Sequence, residues 1–292
     1  MTKISIVVPV YSGEKTIVPL VEKIDPVLSG KYDWEAILVF DRGKDGSWEK
    51  ISELCKHYPS RVFGYSLASN YGQQRSLMFG LSKACGDYIV TMDEDLQHDP
   101  EYIPKLINEI ESGDYDIVYG RFRSLEQPGS RKVFSRLLRK ILVRFIPHLN
   151  NDYSPYRIIR KEIAEKVIGM NGTITFLDDY LSRVSKKFGL VELEHRARPG
   201  GKSSYTLRGL SGLAISAIFA YTLIVPQLII AGLILLILPV ILSEGLSLQI
   251  LLYTLGGILV LTGFAGVWSN MKNRRKNRRD VKVSKAAGLA VL

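Results

Sequence analysis

The chain has 292 residues, 46% hydrophobic and 23% charged, and its 39 Lys/Arg against 29 Asp/Glu give a formal charge of +10. So much apolar material excludes an intrinsically disordered chain, and the two cysteines, Cys55 and Cys85, supply neither a disulfide framework nor metal-ligand spacing. The surplus charge is concentrated: residues 121–144 carry eight Lys/Arg against Glu126, and residues 272–292 carry eight against Asp280, so each stretch is +7 and the remainder slightly acidic.

Residues 4–10 form an apolar run, too short for a signal peptide and followed at once by polar residues. It reads as a first strand, and further strand-like runs lie at 36–40, 62–67, 88–92 and 117–119. Helical stretches near 15–29, 47–58, 73–84 and 100–111 alternate with them. This predicts an α/β domain over residues 1–205, with a mostly parallel sheet and helices on both faces. Ligands of such sheets bind at the carboxyl ends of the strands. Polar residues gather at those ends: Pro9-Val10-Tyr11, Asp41, Asn70-Tyr71-Gly72 and Asp93-Glu94-Asp95. On an extended backbone Asp93 and Asp95 point the same way and can aim two carboxylates at one divalent ion beside a diphosphate. Asp41 has a plainer alternative as a cap for the helix that follows, and Asp99-Pro100 is a capping pair more than a ligand.

Further on, Leu207, Leu210, Ala214 and Ile218 recur at helical spacing, which predicts an interfacial amphipathic helix over 206–220; an early start to a membrane span is the other reading. No residue of 222–242 or 246–268 is charged, and each run is long enough to cross a hydrocarbon core of roughly 30 Å as a helix. Only Ser243-Glu244-Gly245 separates them, so residues 221–269 are expected to form a two-helix transmembrane hairpin. Pro226 and Pro239 do not oppose this, because neighbouring helices satisfy the freed carbonyls. Lys272, Arg274, Arg275, Lys276, Arg278 and Arg279 begin a basic tail over 270–292 that the positive-inside rule places in the cytoplasm, and the soluble domain with it. Anionic membrane lipid is then the expected partner of the basic stretches, and nucleic acid is not.

Taken together, Pro9-Val10-Tyr11, the 41–45 loop with Gly46-Ser47, Asn70-Tyr71-Gly72-Gln73-Gln74 and Asp93-Glu94-Asp95-Leu96-Gln97-His98-Asp99-Pro100 resemble the family 2 inverting glycosyltransferases of the GT-A fold. Within them, the 152–160 segment with Tyr156-Arg157 and the 198–205 segment with Gly201-Lys202-Ser203-Ser204-Tyr205 are similar to the polyisoprenyl-phosphate glycosyltransferases, a group that includes undecaprenyl-phosphate glucosyltransferases and dolichol-phosphate mannose synthases. The resemblance covers nearly the whole chain apart from the basic tail.

It implies transfer of a sugar from a nucleotide sugar, UDP-linked in the first instance, to a polyprenyl phosphate such as undecaprenyl phosphate, by a multi-pass protein of the inner membrane that forms a homo-oligomer, a tetramer in relatives. It further implies that Pro9, Tyr11, Asp41, Asn70, Gln73 and Asp93 bind the nucleotide, and that Asp93, Asp95 and Gln97 hold Mg²⁺ or Mn²⁺. Arg121, Arg123, Arg131, Arg136 and Arg198, with Ser203 and Tyr205, are the expected acceptor-phosphate ligands, and Arg131, Arg157 and Arg198 join the two aspartates as catalytic residues. Two departures bear on the base: Phe40-Asp41-Arg42-Gly43 replaces an Asp-Asp-Gly-Ser loop, and Gly13 stands where an acidic residue is usual.

A lipid phosphate is already an anion at neutral pH, so the nucleophile needs positioning and charge compensation rather than a general base. A transferase acting on a hydroxyl of a lipid-linked glycan would instead use a carboxylate base, for which Asp178 or Asp179 is available. A nonenzymatic membrane adaptor that binds a nucleotide sugar is the third possibility. Retention of Asp93, Asp95 and the Arg cluster counts against it.

Overall fold

The computed structural model describes residues 1–123, 150, 152–170, 176–194, 224–242, 246–277 and 281–288; in the last two helices it describes the side chains of residues 227, 229–237 and 250–266. The chain divides into two units, one of Met1–Lys132, His148–Lys202 and Asp280–Leu292 and the other of Val133–Pro147 and Ser203–Arg279.

In the first unit, β1 (Lys3–Val10), β2 (Asp33–Phe40), β3 (Val62–Leu67) and β4 (Tyr88–Thr91) are parallel neighbours in the order β4-β1-β2-β3. Helices α1 (Ile17–Leu28), α2 (Ser47–His57) and α3 (Gln73–Leu81) connect them, and a short 3-10 turn at Pro100–Tyr102 leads into α4 (Ile103–Ser112). Each agrees with the sequence expectation to within a few residues, because strand alternation and helical periodicity are local signals.

Alternation along the strands builds two cores. Ile4, Ile6, Val8 and Val10 of β1, with Trp34, Ala36, Leu38 and Phe40 of β2, face α1, α2 and α4. Val7, Ile37, Val39 and Ile89 face the other way, toward α3 and the helices Lys161–Ile168 and Leu177–Val184. At the α2 face Gly64 leaves room for Ile51, and a Cβ there would run into that side chain.

The sheet extends beyond the parallel block. Strand β5 (Ile117–Arg123) and β6 (Arg157–Arg160) are antiparallel to each other, β6 is antiparallel to β4, and β7 (Phe188–Glu194) is parallel to β5. At the opposite edge β8 (Val283–Ala287) pairs antiparallel with β3. The stretch expected as a basic tail over 270–292 is therefore not an appendage: its start continues the last helix to Asn277, and its later part closes an edge of the first unit's sheet. Val-Ser-Lys-Ala-Ala carries little apolar alternation, so the backbone hydrogen bonds that an open β3 edge offers, rather than side-chain burial, account for the pairing.

The second unit contains the helices Ile224–Leu242 and Leu246–Asn277. Gly232 meets Gly256 and Val260, and Gly263 meets Ile229, so missing side chains let the two backbones approach. Large apolar side chains point away from that contact, among them Ile230, Ile234, Ile258, Phe264 and Leu261, the last 71% exposed. Among the described residues no helix is long and apolar enough to cross a membrane. Both helices run on into residues whose side chains lie outside the described set, and the expected interfacial helix over 206–220 lies outside it altogether.

Candidate active site

The carboxyl ends of β1, β2, β3 and β4 carry the four polar clusters. Asp41 follows β2 and is buried; its Oδ1 accepts the Tyr71 N–H and its Oδ2 the Gly72 N–H, both at 2.7 Å. Burial pushes its carboxyl above the ordinary aspartate range, and the two amides work against that shift. Expected as a base-binding carboxylate, Asp41 in the structure fixes the loop after β3. Gly72 takes φ +90° at the start of α3, a conformation that favours glycine. Arg42, next to Asp41, is left-handed without being glycine (φ 58°), and its Nε donates to the Ala68 carbonyl at 3.2 Å.

The aspartate pair sits differently from the sequence expectation. Strand β4 ends at Thr91, Glu94 and Asp95 lie in a turn, and Leu96 has φ 62°. Asp93 therefore precedes the turn and Asp95 lies in it, so the two carboxylates do not share one extended backbone, and a left-handed leucine, a strain of about 1–2 kcal/mol, follows directly. Asp93 Oδ1 accepts Gln73 Nε2 at 2.7 Å, and Asp95 Oδ1 accepts the Gln97 N–H at 3.1 Å. Gln73 is thereby brought to Asp93 from α3, whereas Gln97 engages Asp95 through its backbone.

Sequence reasoning missed how this turn is held. His98 Nδ1 accepts the Asp93 N–H at 3.0 Å, which puts the ring proton on Nε2. The ring lies near-parallel in a three-ring cluster with Tyr156 (5.1 Å) and Phe122 (5.6 Å), which are themselves 6.0 Å apart, and Tyr156 Oη donates to the Asp99 carbonyl at 2.9 Å. The signal was present in Gln97-His98-Asp99, but a histidine beside acidic residues has no unique partner until the fold brings Tyr156 over it.

Glu94 is a second unanticipated residue. Its carboxylate accepts the N–H groups of Tyr11 (3.1 Å) and Ser12 (3.0 Å), and burial pushes its pKa to about 7 in spite of those bonds, with Asp45 and Asp93 adding to the rise. Tyr11 itself is half-exposed and Pro9 is buried inside β1. Asn70 is exposed at the loop between β3 and α3.

The described arginines do not converge as free anion ligands. Arg157 is buried, donates to Thr91 Oγ1 at 2.9 Å and is ion-paired with Asp178, which also accepts Tyr119 Oη at 3.0 Å. Burial lowers the Arg157 pKa, but Asp178 and Tyr119 outweigh it and the guanidinium stays charged. Expected among the catalytic groups, Arg157 lies in a buried ion pair that links β6 to the helix Leu177–Val184. Arg121 bridges Asp152 (2.8 Å) and Glu192 (2.9 Å). Asp179 is buried, with Arg183 at 2.9 Å from its Oδ2. Arg123 lies in β5, its side chain outside the described set, and Arg131, Arg136, Arg198, Ser203 and Tyr205 fall outside the described residues.

Among the described residues no three His, Cys, Asp or Glu form a complete metal shell. The donors present are hard carboxylate oxygens at the end of β4, beside the loops that follow β1 and β3. That set fits Mg²⁺ or Mn²⁺, ions that take one or two carboxylates and complete their coordination with phosphate oxygens and water.

The description "Glycosyl transferase family 2" belongs to the family whose model matches residues 5–168. Two undecaprenyl-phosphate 4-deoxy-4-formamido-L-arabinose transferases are similar to the chain: that of Proteus mirabilis is 30% identical over 73% of this chain and 66% of its own length, and that of Yersinia enterocolitica is 32% identical over 75% and 68%. The chain thus spans about two thirds of the length of these relatives. Among solved structures, glucosyl-3-phosphoglycerate synthase of Mycobacterium tuberculosis in complex with Mn²⁺, UDP-glucose and phosphoglyceric acid superposes with a TM-score of 0.56 at 20% identity, covering 75% of this chain and 79% of that one. That similarity establishes the GT-A fold.

Proposed function

The chain belongs to glycosyl transferase family 2, and from that premise we propose that it moves a sugar from a nucleotide sugar, UDP-linked, onto undecaprenyl phosphate or a closely related polyprenyl phosphate. The observation that carries this reading is the turn bearing Asp93 and Asp95 at the mouth of the sheet, bonded through Gln73 to the loop that Asp41 shapes, in a chain whose relatives act on undecaprenyl phosphate.

A phosphate oxygen of the acceptor attacks the anomeric carbon as the bond from that carbon to the diphosphate oxygen breaks, and the nucleoside diphosphate leaves. No proton has to be removed from the nucleophile. A divalent cation held by Asp93 and Asp95, when bound, supplies positive charge against the departing diphosphate. Gln73 and His98 orient Asp93 for that task, one through its carboxylate and the other through its backbone. Arg123, Arg131, Arg136 and Arg198, with Ser203 and Tyr205, remain the candidates for holding the acceptor phosphate. The buried pairings of Asp178 with Arg157 and Tyr119 argue against it as a hydroxyl-activating base.

The helical unit is read as a membrane hairpin, with the nucleotide domain in the cytoplasm of an inner membrane. Its outward apolar side chains and close glycine contacts support this, as does the uncharged sequence on either side of Ser243-Glu244-Gly245. Strand β8 also supports it: it follows both helices and pairs with β3, which precedes them, as expected of a hairpin whose two ends emerge on one side.

The test incubates membranes carrying the full-length chain with labelled UDP-sugars, Mn²⁺ and undecaprenyl phosphate and follows label into the lipid extract. Label in a mild-acid-labile polyprenyl-phosphate sugar is the expected result. Label confined to a glycan hydroxyl, or none in lipid with any nucleotide sugar, overturns the reading.

A further inference from the structure

Glu94 lies between the two aspartates assigned to the cation, yet its carboxylate turns to a different loop. Its Oε2 accepts the Tyr11 N–H at 3.1 Å and its Oε1 the Ser12 N–H at 3.0 Å, so one side chain satisfies two successive amides of the loop after β1. The neighbouring residue is glycine, and the space explains why: a Cβ on Gly13 would lie 2.5 Å from Glu94 Oε2 and 3.0 Å from Val10 Cγ1. The Gly13 backbone is not left-handed, so contact alone sets the demand for a missing side chain.

The far side of the same loop is bonded to the loop after β2. Gly13 N–H donates to Ser47 Oγ at 2.8 Å, Ser47 Oγ donates to Asp45 Oδ1 at 2.6 Å, and Asp45 Oδ2 accepts the Glu14 N–H at 3.2 Å. Without Glu94, Tyr11, half-exposed at the tip of the loop, and Ser12 would each lose the acceptor of their backbone N–H, while Gly13 and Glu14 stay bonded to Ser47, Asp45 and the start of α1.

We propose that Glu94 is a positioning residue that ties the nucleotide loop Tyr11-Ser12-Gly13 to the cation turn, with Gly13 as the receptor its carboxylate requires. The inference rests on the glycosyltransferase reading for its purpose but not for its geometry. A nucleoside diphosphate contacts both loops at once, its base side on one and its diphosphate on the other. A carboxylate spanning them sets the separation that the ligand needs before it arrives, and such preorganisation raises affinity by lowering the ordering cost of binding.

The experiment compares Glu94→Gln, Glu94→Ala, Gly13→Ala and the double variant Glu94→Ala/Gly13→Ala in the full-length chain. Hydrogen exchange is read at the Tyr11 and Ser12 amides, thermal midpoints are read for all four, and calorimetry measures UDP binding with Mn²⁺. Loss of Glu94 should speed exchange at both amides by about tenfold, the equivalent of one net hydrogen bond to a charged group. Gly13→Ala should lower the midpoint strongly when Glu94 is present and little once it is gone, a non-additive cycle. UDP should bind roughly tenfold more weakly to both Glu94 variants, and in transfer assays the donor KM should rise more than kcat falls. Unchanged exchange or an additive cycle overturns the tie between the loops. Faster exchange with unaltered UDP affinity overturns its purpose in nucleotide binding. If the wild-type chain binds neither UDP nor GDP, the glycosyltransferase reading fails, while exchange and the cycle still decide the Glu94–Gly13 relation.

Discussion

Arg157 and Asp178 form an ion pair that is almost wholly withdrawn from solvent, linking β6 to the helix Leu177–Val184 beneath the end of β4. Tyr119 and Thr91 complete the hydrogen bonds around it, so the charges are compensated on every side that the fold presents. An arginine in this setting holds architecture; it cannot swing out to a substrate without leaving a carboxylate stranded in the core.

Arg157→Ala should therefore lower stability by about 3–5 kcal/mol, because the uncompensated Asp178 remains buried. Replacing the pair together, Arg157→Met with Asp178→Leu, should recover a large part of that loss. Chemical denaturation of the three variants in detergent checks it. A mild effect of Arg157→Ala on stability, with acceptor use abolished, would return Arg157 to the catalytic group.

Asp93→Asn and Asp95→Asn should each abolish transfer while the fold survives, since both side chains sit at a turn near the surface rather than in the core. Activity of the wild type should disappear in chelator and return with Mg²⁺ or Mn²⁺. Circular dichroism and lipid-extract assays separate the two effects, and undiminished turnover in chelator rules the cation role out.

The two thiols should differ sharply. Cys85 is exposed, whereas Cys55 is buried between α2 and the sheet and burial pushes its thiol to about 11. The thiolate is the reacting form, and a raised pKa keeps it scarce at any pH below that value. Native protein at pH 8 should take up one equivalent of a maleimide, at Cys85, and two after denaturation. Mass spectrometry of the labelled peptides reads the result.

A cysteine at Ser243, in a background with Cys55 and Cys85 replaced by serine or alanine, should react with an impermeant reagent added outside intact cells. One at Ser284 in β8 should react only after the membrane is opened. The opposite pattern would contradict a cytoplasmic nucleotide domain, and equal labelling of both would contradict a hairpin.

Legible in the sequence alone were the parallel half of the sheet, the helices between its strands, and the sheet edge at which polar loop residues cluster. Each of these depends on local periodicity or on the rule that polar loops collect at strand ends, so residues 4–10 and 88–92 were readable without partners. Tertiary structure decided which charged residue serves which purpose. Arg157 and Asp178 are 21 positions apart and became a buried pair only through the packing of β6. Glu94 found its amides 82 and 83 positions away, and Gly13 acquired a reason only when that carboxylate filled its space. The same holds for β8: a strand with almost no apolar alternation is specified by the open edge that it meets, and that edge exists only once the sheet has formed.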